Sequence, residues 1–182
     1  MYYKKYESER LYLSPINVDD YQTYTKWIND ETLARGISNF KFNITELGEK
    51  EWIENVCKKG EHHYSIIRKE GDALLGTYGL ELKDEVSRRY HFGGFIGEVK
   101  ERGKGYGTEA LKLLTKYAFE ILNAETLFSG IYSFNEASLK SAEKAGYRVA
   151  GRFRNAYFYG GKYYDEICVE ITREDYLKSK EN

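Results

Sequence analysis

The apolar positions change period several times along the chain. Residues 10–14 alternate as a strand. Asn17 or Asp19 can cap a helix carrying Tyr21, Tyr24, Trp27 and Ile28 on one side. Residues 30–44, with Gly36, Asn39 and Asn43, predict an irregular stretch. Thr45 can cap a second helix with Leu47, Trp52, Ile53, Val56 and Cys57. Residues 64–69 and 73–82 predict strands around Glu70-Gly71-Asp72, a hairpin signal, and 88–98 should pair with the second. From Thr108 to about Leu122 the apolar spacing is three and four (Leu111, Leu114, Ala118, Ile121, Leu122), which is helical. A strand at Thr126–Tyr132, a helix over 137–145 closed by Gly146, and a hairpin of 147–159 with Lys162–Thr172 over Gly160-Gly161 complete the chain. In the last strand Ile167, Val169 and Ile171 share one face, and Glu166, Cys168 and Glu170 the other. This order predicts an α/β domain with a mixed sheet.

Composition narrows the class. The 182 residues suffice for one domain with a core, expected to run over 1–182. At 41% hydrophobic and 16% aromatic, the chain is globular rather than disordered. A net charge of −1 gives no electrostatic case for nucleic-acid binding. Cys57 and Cys168 are far apart and in no metal spacing, which predicts a reducing compartment, no disulfide framework and no metal. No apolar run approaches membrane-spanning length and no signal peptide is seen, so a cytoplasmic protein with no membrane partner is expected. His62-His63 falls in a predicted loop and reads as surface.

Residues 90–110 organise the rest: a strand, a glycine-rich loop, then a helix start. Phe92, Phe95 and Ile96 suit the strand, while Gly93, Gly94 and Gly97 predict a bulge or a close backbone approach. Gly103, Gly105 and Gly107 follow at every second position. Such a turn aims unpaired N–H groups of a helix start at one point, where the helix dipole adds positive charge, so it suits a phosphate or pyrophosphate. Arg102 and Lys104 add full positive charges. Gly105-x-Gly107-x-x-Ala110 formally fits the dinucleotide fingerprint, but the following strand ends in Ser133, Phe134 and Asn135 without the acidic residue that would hold a ribose. A P-loop is excluded because no Gly-Lys-Ser/Thr occurs.

The remaining match is Arg/Gln-x-x-Gly-x-Gly/Ala, present as Arg102-Gly103-Lys104-Gly105-Tyr106-Gly107. A second segment follows, Asn135-x-x-Ser138 through Glu143-Lys144-x-Gly146-Tyr147. Together these resemble the acyl-CoA pyrophosphate loop and the second cofactor segment of the GNAT family of N-acetyltransferases. The run Gly146, Gly151, Arg154, Gly161 and Tyr164-Asp165 resembles the ribosomal-protein N-acetyltransferase-like branch. The resemblance covers 90–172 well and 8–60 loosely. It implies a single GNAT-like domain, a mixed central sheet of about seven strands flanked by helices, and acetyl-CoA as cosubstrate.

The resemblance also implies roles. Arg102, Gly103, Lys104, Gly105, Tyr106, Gly107 and Thr108 would hold the pyrophosphate, and the backbone of Phe95, Ile96 and Gly97 the pantetheine. Pantetheine would lie between two splayed parallel strands, with a backbone N–H near Gly97 polarising the thioester carbonyl. Asn135 and Ser138 would complete the cofactor site, and transfer to a primary amine would be direct. Many relatives protonate the thiolate with a tyrosine; the matching residue is Ala142, and Ser138 is the substitute. The carboxylate that often serves as base is replaced by Phe92, which leaves His91 and Glu98 as candidates and Glu81 as a rival. The acceptor is a protein N-terminal amine or a small amine; polyamines, amino sugars and aminoglycosides all stay open, as does monomer or homodimer. A non-catalytic acyl-CoA-binding or sensor module is the alternative reading, and a nicotinamide oxidoreductase the third.

Overall fold

The computed structural model describes residues 1–37 and 43–181. Eight strands form a mixed sheet: β1 Tyr6–Glu7, β2 Leu11–Pro15, β3 His62–Arg68, β4 Ala73–Asp84, β5 Arg89–Ile96, β6 Thr126–Tyr132, β7 Arg148–Tyr159 and β8 Lys162–Thr172. The helices are α1 Tyr21–Ile28, α2 Glu31–Gly36, α3 Glu46–Lys59, α4 Tyr106–Glu120, α5 Glu136–Lys144 and α6 Arg173–Glu181. One more strand is present than the expected seven, the two-residue β1, too short to leave a period in the sequence.

The chain forms two compact units, residues 1–80 with 93–113, and 81–92 with 114–182. In the first, strands follow the order β1-β2-β3-β4-β5, with β1–β2, β2–β3 and β3–β4 antiparallel. Its core joins Ile16, Tyr24, Trp27, Ile28, Leu33, Ile53 and Val56, contributed mainly by α1, α2 and α3. Thr45 caps α3 as expected, accepting from the Gly48 N–H, and Gly60 closes it at φ 65°. Leu47 and Trp52 lie on the exposed side of that helix. Asn17 caps a short 3-10 turn, Val18–Asp20, and α1 begins only at Tyr21.

Two expectations fail in this unit. Residues 31–36 are helical, not irregular: Asp30 accepts from the Leu33 N–H and starts α2, which buries Leu33 and Ala34. Asn39 lies outside the described residues. His62 and His63 open β3 rather than a loop. The His63 ring meets Trp52 edge-on at 5.3 Å and fills the space over Gly79, where a Cβ would lie 2.5 Å from it. Burial also holds the His62 imidazole below its ordinary range.

In the second unit the order is β5-β6-β8-β7. β5 and β6 are parallel, registered at Arg89–Thr126, Tyr90–Leu127 and His91–Phe128, and both continue beyond that ladder. β6–β8 and β8–β7 are antiparallel, and Gly160 and Gly161 make the hairpin at φ 56° and 77°. Leu127, Ile131, Val169 and Ile171 share the buried face. The unpredicted α6 packs Tyr176 flat on Phe119, 4.8 Å apart, and Tyr176 donates to Glu120.

Candidate functional site

In the first unit the glycine loop is braced from several sides. Gly103 and Gly105 take φ 78° and 85°, values that a side chain would strain, and α4 begins at the next residue. The start of α4 carries the positive end of its dipole, a geometry that suits an anion. Arg10, on the strand side, fixes this helix start. Its guanidinium donates to the Glu109 carboxylate at 2.7 Å and to the Lys104 carbonyl at 3.1 Å, and stacks over the Tyr106 ring at 4.5 Å. Burial alone would raise the Glu109 pKa, but hydrogen bonds from the Arg10 N–H, Ser8 and the Arg10 guanidinium lower it below the ordinary range. Nothing in the spacing around Arg10 marked it as a loop brace.

The two loop cations are less free than their place in the motif suggested. Arg102 Nε donates to the Ile96 carbonyl and its Nη2 to the Gly97 carbonyl, both at 3.0 Å, so it clamps the end of β5. Lys104 donates to Glu101 at 2.9 Å, and Arg68 reaches the same carboxylate at 2.7 Å. These bonds, that from Lys104 foremost, depress the Glu101 pKa. The backbone N–H groups, rather than these side chains, are what the loop offers directly.

The strand end is equally specified. A Cβ on Gly76 would sit 2.0 Å from the Phe95 carbonyl oxygen, and one on Gly94 2.2 Å from that of Thr77, so both glycines permit a close backbone approach. Gly97 lies under the Trp27 ring, 2.1 Å from where its Cβ would be. The N–H groups of Gly97 and Glu98 both donate to the Leu75 carbonyl, at 2.8 and 3.2 Å. The Gly97 N–H is therefore already used and does not stand ready for a thioester carbonyl. Glu98 is half-buried, and among the described residues its carboxylate has no hydrogen-bond or ion-pair partner.

In the second unit Asn135 caps α5, its side-chain oxygen accepting from the Ser138 N–H at 3.2 Å, so that oxygen is engaged. Ser138 is half-buried, and its hydroxyl has no hydrogen-bond partner among the described residues. Ala142, at 1% exposure, is too deep to stand in for a surface acid. Phe92 is likewise core, tilted against Tyr147 at 4.8 Å. His91 points to the opposite face and meets Phe128 at 5.6 Å. Burial, then Lys83, lowers the His91 pKa against the opposing pull of Glu81, so the imidazole is neutral near pH 7. Glu81 is exposed and paired with Lys83.

Among the described residues no group of His, Cys, Asp and Glu has metal-binding geometry, and no helix is long and apolar enough to cross a membrane. The free Cys57 is exposed, and Cys168 is half-buried.

A glycine turn feeding α4, close-approach glycines at Gly76, Gly94 and Gly97 around the end of β5, and the capped helix α5 are features that an acyl-CoA transferase uses. The sequence description "Acetyltransferase (GNAT) domain" matches residues 10–148. An uncharacterized N-acetyltransferase from a Bacillus subtilis prophage, YokL, is 26% identical over 150 residues, covering 81% of this chain and 82% of that protein. The crystal structure of Vibrio cholerae spermidine N-acetyltransferase with CoA and spermine superposes at TM-score 0.83 with 19% identity, over 93% of this chain and 99% of the other. A Vibrio cholerae protein described as a putative ribosomal-protein-serine acetyltransferase superposes at 0.69 with 20% identity, over 91% and 95%. The chain belongs to the GNAT acetyltransferase family and is an acyltransferase.

Proposed function

We propose that the chain is an acetyl-CoA-dependent N-acetyltransferase that passes the acetyl group directly to a primary amine. The supporting observation is the helix start at Tyr106: two left-handed glycines, braced by Arg10 and Glu109, turn the chain into the positive end of the α4 dipole, a geometry that suits a pyrophosphate. Residues 103–108 hold the phosphates, with Arg102 shaping the loop from behind, and the Phe95–Ile96 backbone carries the pantetheine. The amine nitrogen attacks the thioester carbon, the C–S bond breaks, and the sulfur takes a proton. We assign Ser138, whose hydroxyl has no hydrogen-bond partner among the described residues, to protonate or hydrogen-bond the departing sulfur. His91, neutral near pH 7, or Glu98 accepts the proton lost by the amine, directly or through water. No metal takes part. The whole chain, 1–182, acts as one domain in the cytoplasm, as a monomer or homodimer, with no nucleic-acid or membrane partner.

The second reading, a non-catalytic acyl-CoA sensor, is favoured by Ala142 and Phe92: both are buried and apolar, at the positions where the family resemblance implies an acid and a base. Thiol release from acetyl-CoA with a panel of protein N-terminal peptides and small amines decides between them. Amine-dependent release is expected. Tight acetyl-CoA binding with no release above the amine-free rate would leave the sensor.

A further inference from the structure

On the face of the second unit's sheet opposite its core, β6 presents Phe128, Gly130 and Tyr132, and β8 presents Glu170, Cys168 and Glu166 across from them in that order. The alternation is clear because Leu127, Ser129, Ile131, Val169 and Ile171 are all buried on the other side. Glu166 is the cross-strand partner of Tyr132, yet its side chain leans back along the strand. Its Oε1 would lie 1.7 Å from a Cβ on Gly130, and its Cδ 2.6 Å. Only glycine at 130 leaves room for a carboxylate there.

That carboxylate is half-buried, and among the described residues it has no hydrogen-bond or ion-pair partner. Two of the three cations on the neighbouring strand are paired elsewhere, Arg152 with Asp165 and Arg148 with Glu170, and the charge of the third, Arg154, acts on Asp165. The negative charge of Glu166 also helps burial raise the Cys168 thiol pKa. Beside it stands an aromatic wall. Tyr132 stacks on Tyr157 at 3.9 Å and on Phe134 at 5.7 Å, and Phe134 meets Tyr164 edge-on at 4.9 Å. An unneutralised carboxylate next to aromatic faces recognises an organic ammonium ion, the carboxylate by charge-assisted hydrogen bonds and the rings by cation–π attraction and methylene packing.

The wall joins directly to the second motif. The Asn135 N–H donates to the Tyr132 carbonyl at 2.8 Å, and the Ser133 N–H to that of Asp165 at 2.8 Å, so the turn from β6 into α5 is pinned to β8. The nitrogen that attacks a thioester must be uncharged, so an ammonium held at Glu166 is not the reacting group. We infer that Glu166 anchors the second, still protonated amine of an acceptor that carries at least two amino groups joined by a short apolar spacer. This inference rests on the N-acetyltransferase reading and names its substrate class: small diamines and oligoamines.

Thiol release is measured with the diamine putrescine and the monoamine butylamine, which share a four-carbon spacer. Parent protein should prefer putrescine by about tenfold or more in kcat/KM, the worth of one charge-assisted contact. Glu166→Gln keeps the shape and removes the charge; it should raise the putrescine KM about tenfold and erase most of the preference, with butylamine kinetics and acetyl-CoA affinity unchanged. Gly130→Ala, which displaces the carboxylate without removing it, should move the putrescine KM the same way. Equal preference in the parent and in Glu166→Gln, or a better turnover of peptide N-termini than of diamines, overturns the inference. Calorimetry of spermidine with CoA-loaded protein separates the two readings. Glu166-dependent spermidine binding without thiol release would end the transferase reading and keep the anchor. Thiol release with spermidine binding indifferent to Glu166 would do the reverse.

Discussion

Glu49 is a buried carboxyl in the first unit. It is 5% exposed, its Oε1 has no hydrogen-bond partner among the described residues, and burial pushes its pKa from 4.5 to about 7. A carboxyl raised in the folded state is fully compatible with folding below its ordinary pKa. It loses stability as pH rises, because the unfolded chain ionises first. The folded protein should therefore weaken between pH 5 and pH 8. Glu49→Gln should gain roughly 1–3 kcal/mol at pH 8 and little at pH 5, read from urea unfolding at both. An equal gain at the two pH values would show that ionisation is not the cause. Gly97 gives the opposite case, a residue defined by its lack of a side chain. With Trp27 ring atoms 2.1 Å from its missing Cβ, Gly97→Ala should lower stability by roughly 1–3 kcal/mol in denaturant unfolding, since the buried indole must move. The sequence flagged Gly94 and Gly97 as close-approach glycines, but not what approaches, because Trp27 comes from seventy residues upstream.

At the scale of elements, periodicity was a good guide where one face is buried. Thr126–Tyr132 and Lys162–Thr172 are strands with those limits, and the cap at Thr45 holds. It failed for α2, whose six residues are too few to show a period, and for α6, whose mostly polar surface hides a single anchoring Tyr176. The loop before α4 was legible from its glycines as a turn feeding a helix start, with Gly103 and Gly105 left-handed and α4 beginning at Tyr106. The conduct of Arg102 was not, because the Ile96 and Gly97 carbonyls that capture it are exposed only by the path of β5. On α5, Asn135 spends its side-chain oxygen on the Ser138 N–H, while the Ser138 hydroxyl has no hydrogen-bond partner among the described residues. Ser138→Ala should then cut kcat about ten- to a hundredfold, the worth of one hydrogen bond to a developing thiolate, with little change in acetyl-CoA affinity. A variant matching the parent in kcat would reduce Ser138 to a first-turn helix residue.

For the whole molecule, family motifs revealed the class that the fold then bore out, while the acceptor side stayed unread. Glu166 was visible in the sequence as one of three alternating residues. Its lone position over Gly130 depends on the β6–β8 register and on which sheet face is covered, neither of which a single strand encodes. Direct transfer needs no cysteine. With Cys57 and Cys168 both raised in pKa, chiefly by burial, neither is a ready thiolate. The double variant Cys57→Ala, Cys168→Ala should keep its turnover, and intact-mass spectrometry of protein incubated with acetyl-CoA should find no stoichiometric acetyl adduct.

The proposed function depends on the glycine turn holding the phosphates of acetyl-CoA. Calorimetric titration of acetyl-CoA into the parent and into Gly105→Asp tests that most directly. Gly105 is exposed, with only Arg10 at 3.4 Å from a hypothetical Cβ, and its φ of 85° is a conformation aspartate tolerates better than most residues. The fold should survive, while a negative charge added to the turn opposes binding of the pyrophosphate. Saturable binding by the parent and none detectable in Gly105→Asp is the predicted result; the same affinity in both would contradict the placement of the cofactor and the function built on it.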